Sequence, residues 1–179
     1  MSVDDRARAV LYGAAMKKLL CALVVCVGLG GAALAADDEL VGRIAVVNGD
    51  LIIVAGQPVR FFGIDALEIE QTCSNSLVDN YPCGRFAASR LSMMTIRADV
   101  RCQLKDGLMA VEIDPEIPIG VCYLRDIDLG EWMVRSGFAM ALRSQSPDYI
   151  VFEDAAREEE IGIWAGAFIP PWDWRASQR

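Results

Sequence analysis

The 179-residue chain contains no histidine. That absence removes Ser-His-Asp and Cys-His nucleophile systems, His-ligated zinc and imidazole acid-base chemistry, so carboxylates, arginine, cysteine or an oxygen-bound metal must carry any reaction. Lysine is scarce: after Lys17 and Lys18 only Lys105 occurs. Repeats, low-complexity tracts and linkers long enough to separate two domains are also missing beyond residue 35. Leu19 to Leu34 is uncharged and apolar or glycine, but its roughly 16 residues fall short of the ~20 that a bilayer-spanning helix needs.

What stands in that first stretch is a leader pattern. Met16-Lys17-Lys18 precedes the apolar run, and Ala33-Leu34-Ala35 places small residues at the spacing a signal peptidase reads. We therefore expect residues 1–35 to be a signal peptide, with Met16 as an alternative start, and residues 36–179 to form one exported domain in the periplasm or secreted. Neither Cys21 nor Cys26 has a lipid-attachment context. Removing Asp4, Asp5, Arg6, Arg8, Lys17 and Lys18 leaves 13 basic and 23 acidic groups, a net charge of −10. Such a field repels DNA and RNA, because non-specific affinity for them comes from neutralising phosphates. Four cysteines remain, Cys73, Cys83, Cys102 and Cys122, an even number that reads as two disulfides in an oxidising compartment. Their spacings contain no close pair of the kind that holds zinc.

Apolar and β-branched runs at 40–47 and 51–54, with Asn48-Gly49-Asp50 between them, and a third at 58–64 after Ala55-Gly56-Gln57 predict a three-stranded meander. Residues 65–82 read as irregular. A helix is expected over 84–96, strands over 100–104 and 119–124, a short helix over 128–136 ended by Gly137, and a third helix from Ser146-Pro147-Asp148 to about Glu160, with Gly162 as its left-handed cap. Five short strands with about three interleaved helices point to an α+β, mainly β chain built as a five-stranded OB-fold barrel. Cys102 and Cys122 fall in adjacent expected strands and Cys73 and Cys83 bracket the irregular segment, so the expected pairs are 73 with 83 and 102 with 122.

Asp50, Arg60, Asp65 and Glu68 stand out in the meander. Singly, each has a plain explanation as a turn former, a solvated strand residue or a cap. Together they point further. A hairpin returns Asp50 to the end of the third strand, where Asp50 and Asp65 can converge on one hard cation with Glu68 and Arg60 close by. Trp132, Trp164, Trp172 and Trp174 could stack on bases or sugars, although packing is the simpler role for them.

At these residues the chain resembles the staphylococcal nuclease (thermonuclease) family, whose members show Asp-Gly-Asp-Thr and then Val-Arg-Leu-x-Gly-Ile-Asp-Ala-Pro-Glu. Asn48-Gly49-Asp50-Leu51 and Val59 to Glu68 fall in the same register. The resemblance continues through Gln71-x-Cys73, Cys83-Gly84-x-x-Ala87, Asp128-Leu129-Gly130-x-x-Met133-Val134-x-x-Gly137-Phe138-Ala139, Glu153 to Arg157 and Gly162-Ile163-Trp164-x-Gly166. Pro170-Pro171-Trp172-Asp173-Trp174-Arg175 looks like the tail of exported bacterial members. This resemblance implies a calcium-dependent endonuclease or phosphodiesterase, a hydrolase, acting on single-stranded nucleic acid. Asp50, Asp65 and the Ala66 carbonyl would then hold calcium, Glu68 would activate water, and Arg60 would neutralise the phosphate together with the ion.

The departures weaken that implication. The family's second catalytic arginine lies in an Asp-Arg-Tyr-Gly-Arg segment whose place is taken here by Glu116-Ile117-Pro118-Ile119-Gly120, with Ile117 at the arginine's position. No arginine or lysine occurs between Lys105 and Arg125, and nothing basic replaces it. Loss of such a cation costs on the order of 10² to 10⁵ in rate. The loop before it carries Glu112, Asp114 and Glu116, on one face if extended. Two readings follow: a nuclease-like phosphodiesterase of weak activity, or a non-catalytic exported module that binds a protein or polysaccharide. Some relatives by resemblance are named for exopolysaccharide (succinoglycan) biosynthesis.

Overall fold

The computed structural model describes residues 39–110 and 114–179, with residues 106–110 and 114–115 described by backbone alone. The leader pattern, Glu112 and the side chain of Asp114 lie outside the described residues.

β1 (Glu39–Val46), β2 (Leu51–Val54) and β3 (Gln57–Phe61) form the expected meander. β2 and β3 are joined by the two residues Ala55 and Gly56, both at positive φ (50° and 82°), the backbone that a tight hairpin with right-handed strand twist needs. β6 (Asp99–Ala110) and β7 (Asp114–Leu124) make a longer hairpin than the sequence suggests. β6 pairs antiparallel with β1, Leu40 opposite Cys102, and β7 closes the sheet by pairing parallel with β3, Arg60 opposite Ile119. The order β3-β2-β1-β6-β7 thus returns on itself as the five-stranded mixed OB barrel, with the two-residue β8 (Ile127–Asp128) appended to β7.

The barrel interior is filled by Ile52, Val54, Val59, Phe61, Val100 and Cys102, the buried alternate positions of these strands. Helix α1 (Cys83–Met94) adds Ala87 and Leu91, and α2 (Leu129–Arg135) adds Leu129, Met133 and Val134. Asp128 caps α2, its carboxylate accepting from Gly130 N at 2.8 Å and from the Tyr149 hydroxyl at 2.8 Å. α3 runs Ile150–Glu158, starting later than expected from Pro147, because Ser146 Oγ instead accepts from Asp148 N and closes a turn ahead of it. Gly162 has positive φ as expected, but it opens a 3-10 turn, Gly162–Ala165, and Glu159 is the residue that ends α3.

Two further corrections bear on the site. The third strand does not run to Ile64: Gly63 at φ 72° breaks it, and a separate β4 (Ile64–Ala66) pairs with β9 (Ala139–Ala141). The described residues hold four α-helices where about three were expected, the fourth being α4 (Pro171–Ser177) in the tail. Disulfides join Cys73 to Cys83 and Cys102 to Cys122, the expected pairs. The first sits in a smaller core with Leu67, Met140 and Ile163, against which Trp164 packs. Short β5 (Ser74–Asn75) and β10 (Gly166–Ala167) pair beside that core and bring the tail across it.

Candidate functional site

Asp50 is placed by the turn before it. Asn48 Oδ1 accepts from Asp50 N at 3.0 Å and Leu51 N at 2.7 Å, so asparagine here shapes backbone. Gly49 is required for contact: a Cβ there would stand 2.7 Å from the Ala66 Cβ, and that close approach lets the turn lie against β4. Arg60 faces Leu51 across the β2–β3 ladder, and its Nη1 donates to Asp50 Oδ1 at 2.8 Å. Ala66 N donates to the other oxygen of Asp50 at 3.3 Å. Asp50 thus lies against the Arg60 guanidinium and against the backbone of Ala66, the residue that follows Asp65 on β4.

An arginine that the sequence reading did not assign to the site completes it. Arg175 grips Asp65 with both ends of its guanidinium, Nη1 to Oδ1 at 3.0 Å and Nη2 to Oδ2 at 2.7 Å, and Nη1 also donates to Glu68 Oε1 at 2.7 Å. Fork-on-carboxylate pairing of this kind is among the stronger charged hydrogen bonds. Asp65 is 1% exposed. Burial raises its pKa from 3.8 to about 6, with the charges of Asp50 and Glu68 adding to the rise and the bond and charge of Arg175 opposing it. Burial works against the charge on Arg175, but Asp65 and Glu68 outweigh it and hold its pKa above the ordinary value.

The Glu68 loop is tied to the tail as well. The buried Gln71 accepts from Glu68 N at 3.2 Å and donates from Nε2 to the Ile169 carbonyl. On the other side, β9 is held by Glu153, whose carboxylate accepts from Ala141 N at 2.7 Å and from Arg143 and Arg157 at 2.9 Å each. Since β9 carries Met140 opposite Asp65, Glu153 fixes the strand on which β4 rests. Ile117 lies half-buried on β7, two residues before the partner of Arg60, and Glu116 beside it is exposed.

Calcium takes six to eight oxygen ligands. Here both Asp65 oxygens and one of Asp50 are spent on arginine, and among the described residues no group of three or more His, Cys, Asp or Glu is placed to hold a metal. As arranged, the residues do not fit a calcium ion; a guanidinium answers the carboxylates instead. The sequence reading looked for a basic residue near β7 and left out the tail, from which Arg175 reaches Asp65 across 110 residues. Arg60 Nε is buried with no acceptor among the described residues.

Residues 58–166 match the family described as staphylococcal nuclease homologue. The succinoglycan biosynthesis protein ExoI of Rhizobium meliloti (strain 1021) is 26% identical over 132 residues, which cover 72% of this chain. The chain spans 66% of that relative's length, just under two thirds. Arg175 lies beyond the matched family segment, whereas Arg60, Asp65, Ala66 and Glu68 lie within it. Matched over more than half its length, and built on the five-stranded barrel described above, the chain belongs to the staphylococcal nuclease homologue family.

Proposed function

We propose that the protein is an exported phosphodiesterase of the staphylococcal nuclease type, weakly active on single-stranded nucleic acid, whose carboxylate site is closed at rest. The observation that carries this reading is the Arg175 guanidinium spread across Asp65 and Glu68. In this reading Glu68 is the base and Arg60 the phosphate-neutralising residue, with its unpaired Nε as the donor toward an anionic oxygen. Asp50, Asp65 and the Ala66 carbonyl are the oxygen donors a divalent cation would require. Arg175 Nη1 occupies a Glu68 oxygen that would face the attacking water, and Ile117 supplies no second cation, so both features lower the rate. Export is supported by the leader pattern and by two disulfides that an oxidising compartment maintains.

The test is cleavage of single-stranded DNA by the purified protein with calcium and with chelator. Slow, chelator-sensitive cleavage that Glu68→Gln abolishes is expected. Rapid cleavage indifferent to Glu68→Gln would overturn the assignment. A second reading, a non-catalytic module of exopolysaccharide production, is favoured by the ExoI relative and by Ile117. It predicts no cleavage under any condition and a binding partner that is a protein or polysaccharide.

A further inference from the structure

We propose that Trp172 and the end of β9 form a stacking subsite for an unpaired nucleobase, seated beside the carboxylate site and next to the scissile phosphate of a single-stranded nucleic acid. The inference rests on the phosphodiesterase reading and adds to it the group that would recognise a single strand. Trp172 is the most open of the four tryptophans, 36% exposed on α4, and its indole has no ring, cation or hydrogen-bond partner among the described residues. Trp164, by contrast, is packed edge-on against Phe168 and lies under Arg157. Together with Met140, Leu142, Arg143 and Ser144, Trp172 walls a hollow of about 420 Å³, within the roughly 300 to 1,000 Å³ of small-molecule sites. The indole also borders a second hollow, of about 320 Å³, lined by Arg175, Ala176 and Arg179.

Both hollows adjoin the carboxylate site. Met140 is the β9 residue paired with Asp65 on β4, and Arg175 is the residue bound to Asp65 and Glu68. The chemistry of the walls selects the ligand. An indole with Met140 and Leu142 suits a flat π-face, and base–aromatic stacking tolerates any base. A pyranose, the other ring that stacks on tryptophan, carries a rim of hydroxyls that need polar partners, and the larger hollow offers only Arg143 and Ser144 as polar side chains. A base inside a duplex is stacked and paired, so only an unpaired one can enter. Charge agrees with a polyanion here, although the chain expected after the leader has a net charge of −10. Arg179 has no ion pair among the described residues, and Arg143 is 46% exposed while Glu153 at 2.9 Å and Asp154 at 3.9 Å orient it. Asp173 follows Trp172 in sequence but lines neither hollow. Arg143 and Arg179 border the two hollows, where they would meet the phosphates flanking a stacked base.

The experiment measures binding without cleavage. In the presence of chelator, fluorescence anisotropy follows titration of a labelled thymidine oligonucleotide with the wild type, Trp172→Ala and Trp172→Phe. The oligonucleotide has about ten nucleotides, within the site size of an OB fold. Its abasic counterpart, the same sequence as a duplex, and alginate as an acidic polysaccharide are titrated alongside. Trp172→Ala should bind the thymidine oligonucleotide about tenfold more weakly than the wild type and the abasic one equally well, while Trp172→Phe keeps most of the affinity. The duplex should bind the wild type no better than the abasic strand. No binding of the oligonucleotide by the wild type, or unchanged affinity in Trp172→Ala, would overturn the subsite. So would an equal loss for the abasic strand, which marks a disturbed helix and not a lost stacking face, or Trp172-dependent binding of alginate in place of the oligonucleotide. Trp172-dependent binding by a protein that cleaves nothing in calcium upholds the subsite and removes the phosphodiesterase reading. Cleavage in calcium with binding indifferent to Trp172→Ala does the reverse.

Discussion

Glu153→Ala should destabilise the protein by about 2 to 4 kcal/mol, and the reason lies in one hydrogen bond more than in two ion pairs. The carboxylate is 0% exposed, yet its partners Arg143 and Arg157 are 46% and 51% exposed in their side chains. Both arginines regain water when the partner goes, so each pair contributes at most about 1 kcal/mol. The Ala141 N–H cannot do so: it is buried, and stranding it costs about 1 to 3 kcal/mol. The remainder is the space left by the side chain. Glu153→Gln keeps an oxygen for Ala141 N and should cost about 1 to 2 kcal/mol, and Arg143→Gln or Arg157→Gln less than about 1. Urea unfolding followed by circular dichroism measures this, with the midpoint moving and the slope constant. Equal damage from Glu153→Gln and Glu153→Ala, or an alanine variant within about 0.5 kcal/mol of wild type, would refute the assignment of the effect to Ala141 N.

Asp65 has a folded pKa raised from 3.8 to about 6, so the folded state favours its neutral form; its contribution is fully present below pH 3.8 and is lost as pH rises through about 6. Stability measured from pH 4 to 7 should therefore decline less steeply in Asp65→Asn, and more of the decline should move to higher pH in Arg175→Met, which loses both influences that lower the pKa. Removing either disulfide by paired Cys→Ala substitution closes no new contact but frees a loop of 10 or 20 residues, which should cost about 3 kcal/mol by chain entropy in unfolding experiments. Ile117→Arg, added to Arg175→Met, should raise calcium-dependent cleavage of single-stranded DNA at least about tenfold, and Glu68→Gln should abolish the gain; no rise would favour the binding module.

The site's carboxylates were legible because they lie within one meander. Asp50, Arg60 and Asp65 are separated by tight turns whose chemistry is local, Asn48 before Asp50 and Ala55-Gly56 between the strands. The same locality exposed the glycine after α2. Boundaries failed where a long-range partner decided them. Lys105 to Ala110 and Asp114 to Pro118 contain charge, glycine and proline that local propensity disfavours, yet β6 and β7 extend through them as one hairpin. β4 is a strand only because β9 lies beside it, and β9 is held there by Glu153. Arg175 is the extreme instance. Nothing within its own segment reveals a carboxylate partner 110 residues earlier; only the aromatic and proline-rich run that carries it marked the tail as unusual.

Closure of the proposed site by Arg175 is tested most directly by side-by-side rates of single-stranded DNA cleavage in calcium by wild type and Arg175→Met. A wild-type rate barely above the chelator control and at least about tenfold faster cleavage by Arg175→Met are expected. Vigorous cleavage by the wild type, with Arg175→Met no faster, would contradict it.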